Sequence, residues 1–108
     1  MLLITLESIP GKAFEILDMV KGSTIQSKNI GKDILSGLKT LVGGELTQYV
    51  EMVDEARALA TKRMVMQAEK LGADAILGIR YATTSVMQGA AEVMVYGTAV
   101  KFKQTSGG

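Results

Sequence analysis

Residues 46–71 read LTQYVEMVDEARALATKRMVMQAEKL, and Gly72 follows at once. The stretch has no Pro and no Gly and is rich in Ala, Leu, Met, Glu, Lys and Arg. These side chains lose little freedom on entering a helix. Tyr49, Val53, Ala56, Ala60, Met64, Ala68 and Leu71 recur at a three-four spacing, which predicts one helix with one apolar stripe. Acids crowd its first half and Lys70 closes its last turn, complementing the helix dipole. Gly72 supplies a left-handed stop. At 1.5 Å per residue the helix is ~39 Å long, against about 35 Å for the width of a compact domain of this size. A helix as long as its own domain points to assembly. It names no chemistry.

The chain around it is 108 residues, read as one domain over 1–103 with a loose polar tail at 104–108. With 47% hydrophobic residues, 21% charged and no Trp, the core of this ordinary soluble composition must be aliphatic and Met-built. A net charge of +1 with mixed signs gives no footprint for nucleic acid or an anionic membrane. There is no Cys and no His, which removes disulfides, thiol chemistry, zinc fingers and His-based catalysis. The apolar start is broken by Thr5 and Glu7 and reads as a strand rather than a leader. No apolar run approaches the ~20 residues of a membrane span, so cytoplasmic residence is the expectation.

Outside the long helix the pattern shifts to strands. Residues 1–6 and 13–20 flank the turn Ile9, Pro10, Gly11 and Lys12, which predicts a hairpin. Phe14, Ile16, Asp18 and Val20 should share one face, with Glu15, Leu17 and Met19 on the other. Asn29 can cap a shorter helix running to about Val42, ended by Gly43 and Gly44. Residues 74–83 return to a period of two, with Ala75, Leu77, Ile79 and Tyr81 together, and 84–89 read as a loop. The last strand, 91–102, is apolar on both faces: Ala91, Val93, Val95, Gly97 and Ala99 are small, while Met94, Tyr96, Thr98, Val100 and Phe102 are bulkier. A two-layer domain hides one sheet face only, so a second copy of the chain is the expected cover for the other. Arg80 and Glu92 are expected to pair across a hairpin turning near Val86. Arg80, Glu92, Met94, Tyr96 and Thr98 are the candidate subunit-interface residues.

Several blocks recur together in one known family. They are Ile9-Pro10-Gly11-Lys12, Gly22-Ser23-Thr24, KTLVGGE at 39–45, Glu55-Ala56-Arg57, Gly72-Ala73-Asp74-Ala75, and residues 87–92 leading to Tyr96-Gly97-Thr98-Ala99-Val100. On these the chain resembles the YbjQ-like family over about residues 1–103. The resemblance implies a dodecin-like two-layer subunit assembled into a pentameric β/α ring. It also implies a heavy-metal-binding label, and it brings no catalytic residue with it.

Candidate chemistry is sparse. Thioether is the only soft donor, so Met64 with Met66, or Met52 with Met19, are the copper(I) pairs to consider. Met more often fills core gaps. Asp54 and Glu55 read as a helix-surface pair, and Glu7, Glu15 and Asp18 are spread without calcium-loop spacing. A ring axis could still gather one ligand per subunit. Gly22-Ser23-Thr24 and Gly43-Gly44-Glu45 match no phosphate fingerprint, although Lys28, Lys32 and Lys39 could form a weak basic patch. Ser23, Thr24, Ser27, Thr83, Thr84 and Ser85 have no evident base.

The expectation is therefore an α+β two-layer sandwich, an antiparallel sheet packed by one long and one shorter helix and assembled as an oligomeric ring. Its function is read as non-enzymatic assembly or binding, with its own copies as first partner and a metal ion or small ligand as a further one. The alternatives are a metal site shared between subunits and, more weakly, an intersubunit enzyme site.

Overall fold

The computed structural model describes residues 1–27 and 44–104. In chain order it holds β1 (Leu2–Leu3), β2 (Phe14–Ser27), α1 (Gly44–Lys70), β3 (Ala75–Met87) and β4 (Ala90–Phe102). The strands form one sheet in the order β1-β3-β4-β2. The fold is α+β, as expected, but the sheet is mixed. β1 runs parallel to β3, while β3 and β2 both run antiparallel to β4. The expected shorter helix lies outside the described residues.

The N-terminal hairpin does not form. Residues 2–3 pair instead with residues 75–76, and the segment continues along β3 through Ile4 N–H to the Ile76 carbonyl (3.1 Å) and Gly78 N–H to the Leu6 carbonyl (2.8 Å). The turn at Pro10 and Gly11 remains, closed by Lys12 N–H on the Ile9 carbonyl and with Gly11 at φ 78°. It returns the chain to the far edge of the sheet rather than to its neighbour. A parallel partner needs such a long connection, and local turn signals cannot report it.

α1 ends where Gly72 predicted. Ala73 N–H reaches the Ala68 carbonyl and Gly72 N–H the Glu69 carbonyl, with Gly72 at φ 76°, the two bonds of a Schellman stop. Its buried seam is Met52, Ala56, Ala60, Met64 and Ala68. Val53 packs only partly buried beside that seam, and Leu71 is exposed. Ala at three of the five seam positions lets the helix lie close to the sheet. At Gly22 the approach is closest: a Cβ there would stand 2.0 Å from the Ala60 carbonyl oxygen and 2.6 Å from the Met64 nitrogen. Polar side chains fasten the same seam, with Lys21 N–H donating to Gln67 Oε1 (2.8 Å) and Arg63 Nη1 to the Ser23 carbonyl (2.7 Å).

Two bulges rewrite the expected strand faces. The β2 register shifts between Ile16 and Asp18, so that Leu17 and Val20 both pack into the helix-side core. Phe14 joins the other face, and Ile16 is exposed. In β3 the register shifts between Leu77 and Arg80, around Gly78 at φ 62°. Ile76 and Ile79 thus share the helix side, while Ala75 and Leu77 belong to a second cluster with Val100. An extra residue changes the parity of a strand, and every side chain beyond it swaps faces. The residues expected to form a loop at 84–89 instead carry β3 on to Met87, leaving a two-residue turn with Gly89 at φ 78°.

That longer hairpin corrects the pairing of Arg80 with Glu92. Arg80 stands opposite Tyr96, and Glu92 opposite Thr84, four residues further along. At ~3.3 Å per residue this separates the two positions by roughly 13 Å along the strand. Arg80 Nη1 donates to the Thr5 carbonyl at 3.0 Å instead.

Two measurements check this geometry. Gly22→Ala should destabilise the protein by about 3 kcal/mol, because the added methyl meets helix backbone that cannot rotate away; a chemical-denaturation midpoint unchanged from the parent would refute the close approach. Arg80→Ala and Glu92→Ala should be additive in stability within about 0.5 kcal/mol. A double-mutant coupling above about 1 kcal/mol would restore the cross-strand pair.

Candidate functional site

The sheet face away from α1 is built from alternate residues of three strands. In register across it lie Met19 with Thr98, Lys21 with Tyr96, Ser23 with Met94 and Ile25 with Glu92. On the other side of β4, Arg80 meets Tyr96, Ala82 meets Met94 and Thr84 meets Glu92. All five residues singled out from sequence, Arg80, Glu92, Met94, Tyr96 and Thr98, therefore share this face. Paired residues of an antiparallel ladder point to one side.

The chain covers only the lower part of the face. There Ile4 and Ile9 of the N-terminal segment pack on Ala75, Leu77 and Val100, flanked by Phe14 and Phe102. A second copy is the expected cover for this face, and over its lower part the chain's own N-terminal segment lies there instead. Higher up, Ile16 (66%), Met19 (68%), Ile25 (63%), Met94 (37%) and Tyr96 (40%) remain exposed. Such a set of large apolar side chains on one flat surface is unusual for an isolated domain.

Where the covered and open parts meet, a cleft of about 250 Å³ opens, lined by Glu7, Phe14, Ile16, Leu77, Gly78, Thr98 and Val100. Sequence reasoning missed it, because it placed residues 1–6 in a hairpin beside residues 13–20. The available signal was Gly78: an isolated Gly in a strand pattern marks a bulge, and here the bulge shapes the cleft floor.

The other candidate residues are not gathered. Met64 is in the core while Met66 is 48% exposed, and Met52 is buried in the helix seam while Met19 lies on the opposite sheet face. Neither thioether pair converges. Among the described residues no group of three or more carboxylates is placed to hold a metal ion. Asp54 sits 3.6 Å from Arg57, in an exposed helix pair. Gly22, Ser23 and Thr24 are mid-strand, not a loop before a helix. Thr83, Thr84 and Ser85 extend β3 and are exposed. Lys28, Lys32 and Lys39 lie outside the described residues. Among the described residues the donors of one subunit therefore do not fit a heavy-metal site. No described helix is long and apolar enough to cross a membrane.

Comparison with known proteins follows the same outline. The family described as "Putative heavy-metal-binding" (YbjQ_1) matches residues 1–103. The chain is 66% identical over 101 residues to a UPF0145 protein of Clostridium novyi, covering 94% of this chain and 98% of that one. It is 59% identical over 103 residues to a UPF0145 protein of Thermus thermophilus, covering 94% and 90%. A crystal structure of a DUF74-family protein of unknown function from Pediococcus pentosaceus is similar in fold. Its TM-score is 0.65 at 22% identity, covering 95% of this chain and 98% of that one. The chain belongs to the YbjQ-like family, whose members include the UPF0145 proteins it resembles over almost its full length.

Proposed function

We propose that the chain is a non-enzymatic subunit of a closed homo-oligomer, the pentameric ring implied by the family resemblance. The observation that carries this reading is the exposed apolar face bearing Met19, Ile25, Met94 and Tyr96. Burying such side chains stabilises by roughly 1.5–3 kcal/mol each when complete. An interface of standard size hides about 800 Å² per partner, which one sheet face of this length can supply. Arg80, Glu92 and Thr98 surround the apolar group on the same face and serve as its polar rim.

Two further features support it. The radius of gyration is 18.4 Å, against about 13 Å for a compact domain of this length. The described part of the subunit is elongated, extending 68 × 22 × 16 Å along its principal axes. The outer edge of β3 beyond Tyr81 also carries no strand partner among the described residues, since β1 reaches only Ile76.

In an assembly of this kind the family's heavy-metal description would have to be met by ligands contributed from several subunits.

Light scattering at micromolar concentration should give a multimer of several subunits, and Met94→Asp with Tyr96→Asp should shift it to smaller species while leaving the fold intact. A parent protein running as a clean 11.5 kDa monomer would end the assembly reading. Titration with zinc or copper(I) against a modest chelator should show no uptake of one equivalent per subunit. Stoichiometric, sub-micromolar binding would show that a donor set forms after all.

A further inference from the structure

The cleft at the foot of the open face is one-sided in its chemistry. Its walls come from Phe14 and Ile16 on β2, Leu77 on β3 and Val100 on β4, so they offer an apolar body no hydrogen bonds. Two polar side chains line it: the half-buried Thr98 hydroxyl and the Glu7 carboxylate. Glu7 comes from the N-terminal segment, and its Cγ lies 4.0 Å from where a Cβ at position 78 would stand. The exposed Glu7 side chain thus starts beside the bulge, at the rim of the cleft.

The cations of this region are engaged elsewhere. Lys12 Nζ sits 4.9 Å over the Phe102 ring, and Arg80 Nη1 is on the Thr5 carbonyl. Among the described residues the one ion pair is Arg57 with Asp54, on the helix. Glu7 is thus the only charged residue among those lining the cleft, and among the described residues it forms no ion pair.

We propose that this cleft binds a small organic cation, a primary ammonium group carried on a compact aliphatic or aromatic body. The ammonium meets Glu7 at the rim, Thr98 takes a second hydrogen bond, and the body lies between Phe14, Leu77 and Val100. At about 30 Å³ per water-sized group the volume holds roughly eight heavy atoms, fewer than a nucleotide or a peptide. All lining residues named belong to one chain, and Thr98 is shared with the rim of the assembly face proposed above, so the assembly must leave the cleft mouth open.

The probe is benzylamine, with benzyl alcohol and benzoate as matched neutral and anionic controls, titrated into the full-length protein by NMR. Benzylammonium should saturate at one equivalent per chain, roughly tenfold tighter than benzyl alcohol, with benzoate weaker still. Glu7→Gln should erase the preference for the amine. Ile16→Trp, at a site 66% exposed and outside the helix-side core, should fill the mouth and abolish binding. Equal affinity for the three probes, no saturation by the parent, or an unaffected Glu7→Gln would each overturn the proposal. Light scattering on the same samples separates the two readings: an intact oligomer that ignores benzylamine refutes the cleft alone, and a monomer that binds it refutes the assembly alone.

Discussion

The structure depends on how closely α1 can lie against β2. Dispersion between aliphatic groups fades within about an ångström of the optimum, so a core built from Ala, Val and Met needs its layers near one another. Three alanines of the seam and Gly22 opposite them provide that distance. Gly97 does the same between β4 and β3, where a Cβ would meet Ile76 Cγ2 at 2.6 Å. Large side chains such as Met64 then fill what remains, being unbranched and adaptable. Small residues set the spacing and flexible ones close the gaps.

With the helix held there, the sheet is committed to two unlike faces, and the bulges decide which residues go where. Without the register shift at Gly78, Ile76 and Ile79 could not both join the helix-side core. Without the one near Leu17, Val20 and Leu17 would point apart. The same shifts send Leu77, Phe14 and Ile16 to the far side, where they meet the N-terminal segment and frame the cleft. Core and candidate site are therefore two results of one arrangement.

Much of this was legible in the residues. The long helix, its stop at Gly72 and the small face of β4 follow from composition and period, because each is decided within a few residues of chain. The four candidate interface residues of β4 also fall on one face, since alternation along that strand is unbroken. What sequence did not reveal is non-local or parity-dependent. The parallel pairing of β1 with β3 joins residues more than seventy positions apart, with no local signature. The hairpin turn was misplaced because Thr83, Thr84 and Ser85 suit a strand as well as a loop, and a short displacement there moved Arg80 away from Glu92. The cleft needs both of these features, which is why sequence spacing could weigh Glu7 only as an isolated carboxylate.

The edge of β2 has a consequence for solubility. An outermost strand of fourteen residues is a template on which other chains can polymerise. Here three of its outward-pointing groups are already occupied: Met19 N–H by the Asp18 carboxylate, Lys21 N–H by Gln67, and the Ser23 carbonyl by Arg63. The middle of that edge is blocked, while the β3 edge beyond Tyr81 carries no strand partner among the described residues. Open-ended strand addition needs both edges of the sheet, so fibre growth lacks its second sticky end.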